Sequence, residues 1–188
     1  QLHRHCPERR CPELAALRLY TGPMFFKYNN VLRGLDVPGC RAPCAGLFQK
    51  LCQGNKYGNT LHAIAAGINK LARVTEAQTV YRAPGGILPK EFWDDDAFGV
   101  KGGVEMGFMS TSTSYHAAMD YAKRSKVKLV FEIQQGMVAR GADIGWLSMY
   151  PNEAEILFAP LTACEVVRTR IDGSTLIVEL RPGTAPAA

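Results

Sequence analysis

Four polar side chains stand where reactive chemistry would need them. Arg82 closes the β-like run Gln78-Thr79-Val80-Tyr81. A guanidinium at a strand end can grip a phosphate through two parallel hydrogen bonds. Ser110 opens Ser110-Thr111-Ser112, directly after Gly107-Phe108-Met109. Its hydroxyl both donates and accepts, so it can orient a carboxylate and touch a sugar. Glu153 and Glu155 flank Ala154 at the head of the apolar run Ile156-Leu157-Phe158. A carboxylate there can stabilise a developing cation through a charge-assisted bond of about 1.5–3 kcal/mol, more where water is excluded. In an extended chain, residues two apart point to one side. Glu153 is therefore expected beside Glu155, able to orient an incoming nucleophile or take its proton. Two carboxylates on one side repel, which favours a cationic partner.

Each feature alone has a plainer reading. A strand-end arginine often serves a surface salt bridge, Ser-Thr-Ser is common in turns and strand edges, and the glutamates could be solvated at a strand edge. Taken together in this order and local setting, Tyr81-Arg82-Ala83, Phe108-Met109-Ser110-Thr111-Ser112 and Ser148-Met149-Tyr150-Pro151-Asn152-Glu153-Ala154-Glu155 resemble the R-S-E class of mono-ADP-ribosyltransferases. The resemblance runs over roughly residues 59–167.

That resemblance implies enzymes that split NAD and pass ADP-ribose to an acceptor. It implies two small sheets packed together, with NAD in the cleft between them. Arg82 takes the NAD-phosphate role, and the backbone of Ala83, where the family often has Gly, contacts the nicotinamide carboxamide. Ser110, Glu155 and Glu153 form the catalytic set. Thr111 and Ser112 hold their strand in place around the NAD, and Tyr121 stands where an aromatic, often Phe, stacks on nicotinamide. In the family Glu-x-Glu goes with arginine as acceptor, whereas Gln-x-Glu goes with asparagine or other targets. Glu153 thus implies an acceptor protein with an exposed arginine. Trp146 and Tyr150, in the loop 141–150, could recognise that acceptor, or Trp146 could anchor the loop. Two other functions stay open: an NAD glycohydrolase, in which water is the main acceptor, and an inactive NAD-binding or interaction domain.

These residues must be held by a chain of 188 residues, a length that suits one domain, or one domain with an N-terminal extension. A hydrophobic fraction of 47% argues against disorder. No run approaches the roughly 20 apolar residues of a membrane span. No secretory signal is visible in the polar opening Gln1 to Arg10. A chain that opens on Gln rather than Met is expected to be a cut domain or a processed product. The net charge of +5 is mild and would help attract a dinucleotide with two phosphates. Its basic residues are scattered, with no dense stripe interleaved with aromatics, which argues against nucleic-acid binding.

Five of the six cysteines (Cys6, Cys11, Cys40, Cys44 and Cys52) lie in the first third. Their C-x4-C and C-x3-C spacings do not match a tight zinc knuckle, so no metal is expected. Disulfides among them would imply an oxidising compartment; reduced thiols are the alternative. Cys164 reads as a small core residue.

The pattern of elements predicts an α+β fold. Residues 1–58 read as a helical, loop-rich extension, with a helix over 12–19 begun by Pro12 and loops at 36–39 and 41–43. Residues 59–182 read as the catalytic core and 183–188 as a tail. Asn59 is expected to cap a helix through Leu71 that carries His62. Ser114 is expected to cap a helix to about Lys123, with Ala117, Ala118, Tyr121 and Ala122 facing inward. Strands are expected at 78–82, 127–133, 155–158, 164–170 and 175–180, the last two joined by a hairpin at Asp172-Gly173. The Gly-rich stretch 99–103 lacks the strand and the Lys-Ser/Thr ending of a phosphate-binding loop.

Overall fold

The computed structural model describes residues 11–34 and 45–184. Helix α1 (Pro12–Leu19) starts on a proline that needs no hydrogen-bond partner there, with Glu13 in its first turn and Arg18 in its last. The helical path then breaks. Gly22 adopts extended backbone (ψ −168°) ahead of Pro23, and helix α2 (Phe25–Gly34) leaves in a new direction. Helices α3 (Ala45–Cys52) and α4 (Gly58–Ala72) follow. Helix α4 begins at Gly58, with Tyr57 left-handed at φ 47° and no side-chain cap. Asn59 therefore lies inside the helix rather than capping it. The loops expected at 36–39 and 41–43 fall outside the described residues.

The second half is mostly strand: β1 (Thr79–Arg82), β2 (Gly102–Glu105), β3 (Met109–Ser112), β4 (Leu129–Gln134), β5 (Ala142–Asp143), β6 (Glu155–Phe158), β7 (Thr162–Asp172) and β8 (Thr175–Thr184). Helix α5 (Tyr115–Arg124) lies between β3 and β4. Its N-cap is Ser114, whose Oγ accepts from the Ala117 N–H at 3.2 Å. Hydrogen bonds link the strands in the order β2-β7-β8-β4-β1-β3-β6-β5, with only β4 and β8 parallel. The β7–β8 hairpin turns at Gly173, whose φ of 58° suits glycine.

This ladder is continuous, with a thin link near its centre. The β1–β3 link rests on one register pair, Tyr81 with Ser112. Side chains from both halves meet in one buried cluster: Met109, Ile156 and Phe158 from β3 and β6, with Phe131, Ile133 and Val178 from β4 and β8. One core thus runs beneath the central strands of a mixed eight-stranded sheet, and the fold is α+β.

Helices cover the outer faces. Leu17, Tyr20, Ile64 and Ile68 pack with Phe108 and Leu157. On the far side Ala118 and Ala122 of α5 pack on Val130 and Ile177. Alternation along β6 shows the logic, since Ile156 and Phe158 enter the cluster shared with β4 and β8 while Leu157 meets the helices. Strand β4 is buried over most of its length because both faces are covered. Cys164 is buried in β7, and burial, the first cause, pushes its thiol up to about 11. Cys11 and Cys52 also carry free thiols. Cys6, Cys40 and Cys44 lie outside the described residues. No described helix is long and apolar enough to cross a membrane.

Candidate active site

The first strand of the site is β3. Its register against β6 pairs Ser110 with Leu157 and Ser112 with Glu155, which puts Ser110 diagonally across from Glu155 on one face. Ser110 Oγ donates to Glu155 Oε1 at 2.6 Å. Glu155 is only 5% exposed. Burial pushes its carboxyl above the ordinary range and the charge of Glu153 adds to that, against the Ser110 bond and the Arg82 charge, which favour the ionised form.

Arg82, at the end of β1, reaches across to the same strand. Its Nη1 donates to the Ser110 carbonyl at 2.7 Å, and its Nη2 lies 3.8 Å from Glu105 Oε2 at the end of β2. Thr111 Oγ1 donates to the Ile156 carbonyl at 2.7 Å, and Ser112 Oγ donates to the Glu153 carbonyl at 2.7 Å. These hydroxyls tie β3 to β6 and to the turn in front of it.

That turn departs from the extended chain expected between the two glutamates. Glu153 ends a single 3₁₀ turn (Pro151–Glu153), and Ala154 is left-handed at φ 45°. The simple alternation argument fails, because the backbone rotates between the two residues. Both side chains still line one cavity, Glu155 buried and Glu153 exposed.

The cavity measures about 460 Å³ and brings together Arg82, Ala83, Ser110, Thr111, Ser112, Tyr121, Glu153 and Glu155. All the candidate residues thus converge, although they come from four separate segments. Two residues of α5 sit differently from expectation. Ala117 and Tyr121 were expected to face inward, but both are exposed on the cavity wall, Tyr121 at 64%. Ala118 and Ala122 are the buried residues of α5, and Tyr115 and Met119 pack partly buried against the same cluster. Tyr150 lines the cavity, while Trp146 stands outside it and donates from Nε1 to the Asp143 carbonyl at 3.1 Å. His62 is exposed on α4 and takes no part.

Sequence reasoning missed the contribution of the N-terminal helices. Tyr20, Thr21 and Phe25, from the kinked junction of α1 and α2, line the cavity opposite β3. The kink turns this corner toward the site, and Met149 packs where a side chain on Gly22 would sit, 2.8 Å from the Cβ position. Thr21 Oγ1 accepts from the Met149 N–H at 3.1 Å, and Arg18 Nη1 donates to the Leu147 carbonyl at 2.7 Å. The loop that carries Tyr150 and Glu153 is thereby docked on these helices. Asn29 Oδ1 accepts from the Phe108 N–H at 2.8 Å, and Asn29 Nδ2 donates to the Tyr20 hydroxyl at 3.2 Å. Only the Gly22-Pro23 pair, a helix breaker between apolar helical runs, hinted at this corner.

The arrangement is a half-enclosed cleft with a fixed cation at one wall and a hydroxyl–carboxylate pair at its floor. A second carboxylate and several aromatic rings sit near its mouth. It can hold an elongated anionic ligand and stabilise positive charge developing beside Glu155. Among the described residues no group of His, Cys, Asp and Glu side chains could hold a metal ion.

Comparison with known proteins bears on this geometry. The family described as ADP-ribosyltransferase exoenzyme matches residues 11–179. No curated protein sequence matches significantly. Among solved structures, the ADP-ribosyltransferase HopU1 of Pseudomonas syringae superposes at a TM-score of 0.69, with 22% identity over 91% of this chain and 76% of its own. Exoenzyme S of Pseudomonas aeruginosa, solved with human 14-3-3 protein beta and carba-NAD, gives 0.61, 22%, 90% and 72%. The ADP-ribosyltransferase Vis of Vibrio splendidus, solved with agmatine, gives 0.60, 23%, 93% and 75%. Identities this low establish a shared fold, and the family match covers most of the chain.

Proposed function

The chain belongs to the ADP-ribosyltransferase exoenzyme family, whose enzymes take ADP-ribose from NAD, and from that premise we propose that it transfers ADP-ribose to an arginine side chain of an acceptor protein. The observation that carries the catalytic part is the Ser110–Glu155 hydrogen bond of 2.6 Å, set in the cleft that Arg82 also lines.

NAD offers an anionic pyrophosphate and a glycosidic bond to a positively charged leaving group. Arg82 binds the pyrophosphate through its guanidinium, and the Ala83 backbone meets the nicotinamide carboxamide against the Tyr121 ring. The C1′–N bond breaks with its electron pair leaving on the nicotinamide nitrogen, which becomes neutral. No general acid is needed, because the leaving group is already activated. The ribose is left oxocarbenium-like, and the buried Glu155 carboxylate stabilises it while holding the 2′-hydroxyl. Ser110 fixes that carboxylate. Thr111 and Ser112 keep the strand and the Glu153 turn in register.

The acceptor half rests on Glu153. It is exposed at the cleft edge, and its charge suits a guanidinium that must dock close to the reacting carbon. A guanidinium nitrogen attacks C1′, and the proton it sheds passes to Glu153. Tyr150 lies beside it in the same wall, suited to packing on the flat acceptor group. Agmatine, a small guanidinium compound, bound to Vis supports this choice by analogy of fold alone.

The test is nicotinamide release from NAD, with and without agmatine, by wild type, Glu155→Gln and Glu153→Gln. ADP-ribosyl-agmatine that requires both glutamates supports the proposal. Glu155-dependent release giving only free ADP-ribose would instead make the protein a glycohydrolase.

A further inference from the structure

Arg33, on α2, does not line the cleft, yet it stands two contacts from Arg82. Its Nε and Nη2 donate to Glu105 Oε1 and Oε2 at 3.0 and 3.1 Å, a bidentate fork. The Gly107 N–H also donates to Oε1, at 2.9 Å. The other Glu105 oxygen lies 3.8 Å from Arg82 Nη2, close enough for attraction and too far for a hydrogen bond. Burial pushes the Glu105 carboxyl up, but the bonds and charge of Arg33, the charge of Arg82 and the Gly107 N–H together outweigh it and hold it below the ordinary range. Glu105 is therefore an anion beside the residue read as the anion-binding arginine.

That placement needs an explanation, because a carboxylate next to a phosphate-binding guanidinium competes with the phosphate. With Arg33 present, the trio carries two cations and one anion, and the fork of Arg33 occupies both oxygens of Glu105. Without it, Glu105 and Arg82 would form a neutral pair, and the 3.8 Å contact could close into a hydrogen bond. We propose that Arg33 is a positioning residue for NAD binding: by holding Glu105 in its fork, it keeps that carboxylate from capturing Arg82 and leaves the Arg82 charge to the pyrophosphate. This gives the N-terminal helices a part in substrate affinity. The inference rests on the reading that Arg82 binds the NAD phosphates, and its test is chosen to separate the two.

KM and kcat for nicotinamide release are measured for wild type, Arg33→Gln, Glu105→Gln, the double variant and Arg82→Met, with a thermal unfolding midpoint for each. Arg33→Gln is expected to raise KM for NAD about tenfold, the size of a typical network coupling, with little change in kcat. The double variant is expected to return KM to within about threefold of wild type, because no carboxylate remains to draw Arg82 away. Glu105→Gln alone keeps the shape of the side chain and is expected to leave KM at or below the wild-type value. A purely structural Arg33 would make the double variant no better than the single one, and that result overturns the proposal. So does an unchanged KM in folded Arg33→Gln, or a tenfold rise in Glu105→Gln. The last measure remains decisive even where Arg33→Gln does not fold. A raised KM in Arg82→Met alongside any of these overturns the role of Arg33 only. An unchanged KM in Arg82→Met overturns both readings.

Discussion

Ser110 and Glu155 lie diagonally across the β3–β6 ladder, and the serine hydroxyl meets the glutamate carboxylate at 2.6 Å. Side chains alternate along both strands, so a slip of one residue would send the two to opposite faces. The register of one strand pair therefore decides whether the pair exists at all.

This relationship sets the pH dependence. Burial and the Glu153 charge raise the carboxyl of Glu155, while the Ser110 bond lowers it. In the proposed mechanism cleavage needs the ionised form, so NAD hydrolysis should fall on the acid side at a higher pH than an ordinary carboxylate would give. Ser110→Ala removes a bond that favours ionisation and is expected to move that limb further up. Glu153→Gln removes a like charge and is expected to move it down. A pH profile of kcat/KM for nicotinamide release checks both shifts, and an unmoved limb in both variants would assign it to another group.

The same shift makes a statement about stability. A group whose folded pKa is raised favours the folded state below its unfolded pKa, and that advantage is lost as pH rises through the folded pKa. Wild type thus bears the cost of an ionised, buried Glu155 near neutral pH and not at pH 4. Glu155→Gln should abolish cleavage, by about 100-fold or more. It should also unfold at a higher temperature than wild type at pH 7, with the gap narrowing toward pH 4. Thermal melts at the two pH values test the sign.

Transfer and hydrolysis should separate at the cleft mouth. Glu153→Gln is expected to keep nicotinamide release while losing the agmatine adduct. Tyr150→Ala, beside it in the wall, is expected to raise KM for agmatine several-fold and leave KM for NAD unchanged. Equal loss of both reactions in Tyr150→Ala would make the ring part of the NAD site instead.

One glycine should be sensitive although it does no chemistry. A Cβ at Gly107 would come 2.8 Å from Asn29 Oδ1, the acceptor of the Phe108 N–H. Gly107→Ala should therefore push α2 away from β3 and cost about 1–3 kcal/mol. Chemical denaturation reads the loss directly, and KM for NAD should rise with it, since α2 carries Phe25 and Arg33.

Much of this was legible in the chain itself. The alternation of Ile156-Leu157-Phe158 and of the β4 run marks strands because a pleated backbone has period two, and the Ser114 cap and the Pro12 start follow from local hydrogen-bond needs. The types and order of Arg82, Ser110, Glu153 and Glu155 were enough to suggest the chemistry. These are properties of neighbours in sequence, and local physics fixes them.

What only the tertiary structure decided is how distant segments meet. The left-handed Ala154 breaks the extended path that would have aligned Glu153 with Glu155, and its conformation depends on the turn that Ser112 holds. Whether Tyr121 faced core or cleft turned on how α5 is rotated on the sheet, which buries Ala118 and Ala122 and leaves Tyr121 on the cavity wall. Glu105 and Arg33 are 72 residues apart and carry no local pattern, so no window of sequence links them. Their pairing arises because the α1–α2 kink brings one helix against the end of β2, where two opposite charges losing water must find each other.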